Sequence, residues 1–200
     1  MQTIRSFIAV DLPAEIKAKI TNQIAGFKKL VSNSSVRWVE AGNLHLTLKF
    51  LGEVPLAKIS GIEPALKAAL QPVPAFDLAI TGAGLFPTAR KPRVIWLGIH
   101  PAGALISLAR VVDETMHGLG FDLEERPFSP HLTIGRVNRD VPEHELPRIG
   151  EIILKNQPGE IGGIQVQSVT LYRSDLRPQG PLYTPLARVE LAGGKTVIPC

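Results

Sequence analysis

The tripeptide His-Leu-Thr occurs twice in the chain, each time inside a short stretch that is typical of a β-strand. The copies begin at positions 45 and 131, in NLHLTLKFLG and SPHLTIGR, and so stand 86 residues apart. Successive strand side chains point to opposite faces, so His45 and Thr47 share one face, and His131 and Thr133 share another. The aliphatic residues between them belong to the opposite faces, which can pack on a core. One such pair carries little information, but two matching copies predict that the pairs meet at one site.

The remaining pattern predicts a mixture of helices and strands. Helical spacing of apolar residues predicts helices from Pro13 to about Leu30 and over 55–70, 103–119 and 141–156, with Asp11 near the first N-cap. Strands are expected at 3–10, 36–40, 44–51, 75–86, 93–99, 130–137, 164–174 and 186–191. Because β-α-β alternation is absent and strands follow one another as hairpins, the order favours an α+β fold with antiparallel sheets. Each motif strand follows a helix and a loop, which indicates two lobes with weak internal symmetry.

Composition places the chain among ordinary globular proteins. It has 200 residues, of which 44% are hydrophobic and 20% charged, enough for one domain or two small lobes. The net charge of +4 is a mild preference for anionic partners. The single cysteine, Cys200, cannot form a disulfide within the chain, and neither a signal-peptide layout nor a membrane-length apolar run is present. These features predict a cytoplasmic protein.

Two imidazoles and two hydroxyls suit displacement at phosphorus. One histidine can remove a proton from the nucleophile while the other protonates the leaving oxygen, and hydroxyls can donate to the phosphoryl oxygens. A metal site is the main rival interpretation, but it needs a third ligand, and nothing acidic lies within either motif. His100, His117 and His144 are isolated in the sequence, so no metal and no other cofactor is predicted. A serine or cysteine nucleophile is disfavoured, since G-x-S-x-G is absent and the cysteine is terminal.

With these motifs the chain resembles the two-histidine phosphoesterase superfamily, marked by paired H-x-T-hydrophobic motifs. Within it the chain is similar to the bacterial and archaeal RNA 2′,3′-cyclic phosphodiesterases, also called 2′-5′ RNA ligases. The likeness extends over nearly the whole chain, through RSFIAVDLP, NLHLTLKFLGEV, PRVIWLG, FSPHLTIGR and VTLYRSDLRPQGPLYTPL.

The resemblance implies one bilobal phosphoesterase domain over 1–200. Two pseudo-symmetric lobes with antiparallel sheets would flank a central cleft, with helices on the outside. The implied reaction is metal-independent hydrolysis of 2′,3′-cyclic phosphate ends of RNA to a 2′-phosphate. RNA ends or oligonucleotides are the expected partners, with no membrane and no obligate protein partner.

The resemblance also implies roles for individual residues. His45 and His131 match the catalytic pair; if the 3′ oxygen leaves, His131 would activate water and His45 would protonate that oxygen. Thr47 and Thr133 would bind phosphate oxygens. Arg136 matches an arginine that follows the second motif and would bind substrate.

Alternation along a regular strand sets expectations for the neighbours of the motifs. It places Lys49 on the face of His45 and Phe50 in the core, and it points Arg136 away from His131 unless a bulge at Gly135 redirects it.

Three alternative functions stay open. Two use the same chemistry, on a 2′-5′ linkage or on a small cyclic nucleotide, and the third is a non-catalytic RNA-binding module.

Overall fold

The structure, a computed structural model, describes residues 2–32, 34–178 and 180–193. These residues form nine strands and four α-helices. The strands are β1 (Thr3–Asp11), β2 (Val36–Trp38), β3 (His45–Pro55), β4 (Phe76–Pro87), β5 (Pro92–His100), β6 (His131–Val137), β7 (Glu160–Val166), β8 (Ser168–Arg177) and β9 (Gly180–Glu190). The helices are α1 (Ala14–Lys28), α2 (Leu56–Leu70), α3 (Gly103–Gly118) and α4 (Leu146–Lys155), and a 3-10 turn (Ala41–Asn43) precedes β3.

The helices form because each carries one apolar stripe that must be buried. Helix α1 begins directly after Pro13, whose fixed φ suits the start of a helix, and buries Ile16, Ile20, Ile24 and Phe27. Helix α3 buries Leu105, Leu108, Ala109, Val112 and Met116. The stripes pack on the strands, α1 against β7, α2 against β9, α3 against β3 and α4 against β4.

Two antiparallel sheets form the two lobes. The first sheet has the order β3-β1-β8-β9, and the second has the order β2-β6-β5-β4-β7. In the first sheet the motif strand β3 lies next to β1, the strand that precedes helix α1. In the second sheet the motif strand β6 lies next to β5, the strand that precedes helix α3. Each sheet also takes strands from both halves of the chain. The predicted α+β fold with two antiparallel lobes is confirmed.

Three predicted elements differ from the structure, and the simplest case is the strand expected at 186–191, which begins earlier, as β9 (Gly180–Glu190). The prediction of a single strand over 164–174 is wrong, because the chain passes from one sheet to the other at Gln167. Strand β7 pairs with β4 in the second sheet, whereas β8 pairs with β1 and β9 in the first. No glycine or proline marks this crossing, so the sequence has no turn signal there. The helix expected from 141 begins only at Leu146, because Pro147 lies in its first turn.

The described helices, within residues 2–32, 34–178 and 180–193, include none that is both long and apolar enough to cross a membrane. Cys200, which contributed to the prediction of a cytoplasmic location, lies outside the described residues. That location stays a prediction.

Candidate active site

His45 and His131 hold their rings in the same way. The Nδ1 of His45 lies 2.7 Å from the carbonyl oxygen of Asn43, and the Nδ1 of His131 lies 2.7 Å from that of Ser129. A carbonyl oxygen can only accept a hydrogen bond, so Nδ1 carries the hydrogen and Nε2 of the neutral ring is unprotonated. Both Nε2 atoms are therefore able to exchange a proton with a bound molecule.

The strands that carry the two histidines lie beside each other where the sheets meet. Strand β3 forms an edge of the first sheet, and Cα atoms of β3 approach those of β6 within 8 Å. The side chains of the motifs alternate as predicted: His45, Thr47, His131 and Thr133 are half-buried, whereas the residues between them are fully buried. The two polar faces therefore lie near this junction of the sheets.

A β-bulge follows the threonine in each motif strand. In β3 the register against β1 shifts between Thr47 and Lys49, which makes Leu48 the extra residue. In β6 the register against β5 shifts at the same point of the motif, and Ile134 is the extra residue. A bulge adds one residue and so reverses the alternation of faces beyond it.

The first bulge overturns the expectation for Phe50. Its side chain is 57% exposed, so the prediction that it belongs to the core is wrong. Its ring centroid lies 6.1 Å from that of Phe7, which in turn lies 4.8 Å from the ring of His45. Phe50 is therefore on the histidine face of the strand.

The same bulge turns Lys49 away from that face, so the expected alternation is wrong there too. Lys49 is only 3% exposed and forms an ion pair with Asp113 of α3. Its Nζ also donates to the carbonyl oxygen of Asp122 at 2.8 Å. These partners compensate the burial of a charge beneath the sheet.

The second bulge turns Arg136 to the face of His131, as a bulge near Gly135 was expected to do. Burial raises the pKa of Tyr183, and the positive charges of Arg136 and Arg5 oppose that rise. The ring of Tyr183 lies 5.1 Å from the ring of His45. Arg136 therefore lies close enough to Tyr183, beside His45, for its charge to act there.

Aromatic rings surround His45. Phe7 and Tyr183 are its close neighbours, and the Tyr172 ring lies 6.5 Å away. Burial among these rings lowers the pKa of His45 to about 4, against the opposing hydrogen bond to the Asn43 carbonyl. The imidazole is neutral at pH 7 in the free protein.

Asp11 supports this aromatic wall. Its carboxylate accepts hydrogen bonds from the hydroxyls of Thr170, at 2.7 Å, and Tyr172. Asp11 was predicted to lie near the N-cap of α1, but that helix has no side-chain cap, and its N-cap residue is Pro13. Burial and the hydrogen bond to Asp11 raise the pKa of Tyr172, so its phenol stays protonated.

A second pair of rings holds His131. The Phe86 ring meets it edge-on at 5.0 Å, and the Trp96 ring lies 6.5 Å away. Trp96 crosses directly over Gly84, where a Cβ would lie 2.1 Å from the indole ring. Only glycine leaves room for this position of Trp96.

The sequence did not reveal the walls of the site. The residues that it missed are Phe7, Asp11, Phe86, Trp96, Tyr172 and Tyr183. Their partners lie on other strands, so their positions depend on register between distant segments. The one available signal was that RSFIAVDLP, PRVIWLG and VTLYRSDLRPQGPLYTPL, which contain most of them, belong to the resemblance.

Within the described part of the chain, no three His, Cys, Asp or Glu side chains come together as potential metal ligands. The absence of a metal requirement stays a prediction.

The fold thus carries one His-x-Thr strand from each half of the chain. A family model described as "LigT like Phosphoesterase" matches the chain twice, over residues 10–96 and 97–183. Each match contains one motif. The chain belongs to this family.

Named relatives agree with this assignment. The chain is 37% identical over 185 residues to the RNA 2′,3′-cyclic phosphodiesterase of Methanothermobacter thermautotrophicus, covering 90% of this chain and 95% of the relative. It is 38% identical over 184 residues to the enzyme of the same name from Archaeoglobus fulgidus, covering 92% and 98%. The crystal structure of Escherichia coli LigT complexed with 3′-AMP superposes with a TM-score of 0.75 at 34% identity, over 95% of this chain and 99% of that one. The expected family and an enzyme of the phosphodiesterase class are confirmed.

Proposed function

We propose that this protein hydrolyses the 2′,3′-cyclic phosphate at the end of an RNA to a 2′-phosphate, by acid–base catalysis with two histidines and no metal. The matched anchoring of His45 and His131 carries the proposal. Each Nδ1 is held by a backbone carbonyl, which leaves two Nε2 atoms of defined direction for proton transfer. The names of the relatives supply the substrate. We infer further that residues 1–200 act as one bilobal domain, because both sheets take strands from both halves of the chain.

In the proposed reaction, water attacks phosphorus in line with the 3′ oxygen. A bond forms between phosphorus and the water oxygen while the bond to the 3′ oxygen breaks. His131 takes the proton of the water at Nε2, and His45 gives a proton to the 3′ oxygen. Thr47, Thr133 and Arg136 donate hydrogen bonds to the non-bridging oxygens, where negative charge gathers in the transition state.

The lowered pKa of His45 sets a condition on this assignment. A ring with a pKa of about 4 is neutral at pH 7 and has no proton to give. The phosphodiester anion favours the charged imidazolium when it binds beside the ring. His45 would therefore take up its proton together with the substrate, and its low intrinsic pKa would make it a strong acid.

The activity is tested on an oligonucleotide that ends in a 2′,3′-cyclic phosphate, with EDTA present. We expect conversion to a 2′-phosphate at the same rate with and without the chelator. Oligonucleotides with a 2′-5′ linkage and small cyclic nucleotides form the comparison panel. An unchanged cyclic end, with or without added divalent metal, would refute the proposed reaction.

The assignment of acid and base is tested separately with a substrate whose 3′ bridging oxygen is replaced by sulfur. A thiolate leaves without protonation, so the variant that lacks the acid regains activity and the variant that lacks the base does not. We expect the sulfur substrate to rescue His45→Asn and not His131→Asn. Rescue of His131→Asn alone would exchange the two roles.

A further inference from the structure

Arg37 of β2 lies directly opposite Arg136 of β6 in the antiparallel register. Directly opposite side chains project from the same face of a sheet, with Cβ atoms about 4.5–5.5 Å apart. The neighbours Val36 and Trp38 are buried on the other face, where a Cβ on Gly135 would lie 2.9 Å from the side chains of both. Arg37 thus shares the exposed face of Arg136.

Two arginines in this position repel each other, and like charges directly opposite destabilise a sheet. In the part of the chain that the structure describes, neither guanidinium forms an ion pair within 4.0 Å or a side-chain hydrogen bond. Arg173 and Arg188, also on strands, each have a carboxylate partner two residues away. A pair of exposed cations without such partners is suited to an anion that comes from outside the chain.

The position of the pair in the sheet indicates which anion each arginine meets. Arg136 follows the second motif on β6, next to the expected site of the reacting phosphate. Arg37 lies one strand farther out, on the edge strand β2, about 4.8 Å across the sheet. A 3′ end closed as a cyclic phosphate has no nucleotide beyond it, so the next phosphate of the substrate lies on its 5′ side.

We propose that Arg37 binds the internucleotide phosphate on the 5′ side of the terminal nucleotide, while Arg136 binds the reacting phosphate. This inference rests on the proposed function and extends it. The enzyme would therefore select RNA ends over mononucleosides, because a mononucleoside 2′,3′-cyclic phosphate has no group for Arg37 to bind.

The test compares adenosine 2′,3′-cyclic phosphate with a short oligoadenylate that ends in the same cyclic phosphate. We expect Arg37→Gln to lower kcat/KM about tenfold on the oligonucleotide, mainly through KM, and to leave the mononucleoside within twofold of wild type. The slope of the logarithm of the oligonucleotide binding constant against the logarithm of salt concentration should become shallower, by close to the amount that one phosphate contact contributes.

The matched control is Arg93→Gln, which removes the same charge from β5, the strand on the other side of β6. Arg93 precedes Val94, the partner of Arg136 in the register, and so projects from the opposite face. The Arg93→Gln variant should have the wild-type kcat/KM on both substrates. Thermal melts of both variants check that the fold is intact.

If Arg37→Gln lowered kcat/KM equally on the two substrates, or on neither of them, the proposed role of Arg37 would be overturned. If the wild-type protein turned over neither substrate, the proposed reaction would fail instead. The salt dependence of oligonucleotide binding to wild type and Arg37→Gln then decides the role of Arg37 by itself: equal slopes overturn it, and a shallower slope in the variant supports it.

Discussion

Phe50 and Arg136 occupy equivalent positions in the two motif strands. Each is the fifth residue after its histidine, and each reaches the histidine face because a bulge follows the threonine. One motif strand thus presents an exposed aromatic ring on its histidine face and the other presents a guanidinium. A ring can stack on a base and a guanidinium can bind phosphate, so one repeated backbone device supplies two kinds of contact.

The first prediction concerns the two histidines. His45→Asn and His131→Asn should each lower kcat on a cyclic-phosphate oligonucleotide by roughly 100- to 10,000-fold, because each variant lacks one proton transfer. His144→Asn is the control, since His144 is exposed and belongs to neither motif. Steady-state kinetics that put either motif variant within twofold of wild type would contradict the two-histidine mechanism.

Removal of the charge of Arg136 should be visible in two measurements. Arg136→Gln is expected to lower kcat/KM about 10- to 100-fold, through loss of a charged hydrogen bond to the phosphate. The variant should also have a higher pKa of Tyr183, because in the wild-type protein the positive charge of Arg136 opposes the rise caused by burial. Ultraviolet titration measures this pKa, and Tyr183→Phe assigns the signal, since the chain has only two tyrosines. An unchanged tyrosine titration would mean that Arg136 does not lie near Tyr183.

The pKa of His45 predicts a loss of stability in acid. The pKa falls from 6.5 to about 4 on folding, so between these pH values the unfolded chain binds a proton that the folded protein does not. This one group should reduce the free energy of unfolding by about 3 kcal/mol as the pH falls through that window. Urea unfolding at several pH values should show a smaller loss in His45→Asn. Parallel curves for the two proteins would rule out a buried neutral His45.

Gly84 should be intolerant of a side chain. The Cβ of Gly84→Ala would overlap the Trp96 ring, so the indole must move, at a cost of about 1–3 kcal/mol in the free energy of unfolding. Because Trp96 packs near His131, kcat should fall as well. Gly26→Ala is the control: Gly26 lies within α1 with no atom near its Cβ position, so alanine should stabilise the helix. Thermal melts and turnover together test this, and an unchanged melting temperature in Gly84→Ala would refute it.

The buried ion pair of Lys49 gives the last prediction. Asp113→Ala leaves the ammonium without its main partner and should cost about 3 kcal/mol of stability. Lys49→Met in the same chain should recover most of that loss, because no unpaired charge is left buried. Glu151→Ala breaks an exposed pair with Lys155 and should change stability little. If the double variant unfolded as easily as Asp113→Ala, the cost would not come from the unpaired lysine.

Much of the fold could be predicted because local periodicity reports burial directly. The stripe Ile16, Ile20, Ile24 and Phe27 specified α1, and the alternation around His45 and His131 specified β3 and the start of β6. Errors began where the pattern was interrupted by one residue. The extra residues Leu48 and Ile134 look like ordinary core positions. The expected alternation of faces was therefore wrong for Phe50 and Lys49, which follow Leu48. The change of sheet at Gln167 was hidden because no glycine or proline marks it.

Residues close together along the chain were enough to identify the motifs and the family and to predict the antiparallel α+β class and the shared face of each His-x-Thr pair. The rings that bury His45, the hydrogen bond from Tyr172 to Asp11 and the position of Arg37 beside Arg136 became known from the three-dimensional fold alone. Those relationships arise from register between strands far apart in the chain. Register is set by the packing of the whole core, which no short window of residues contains.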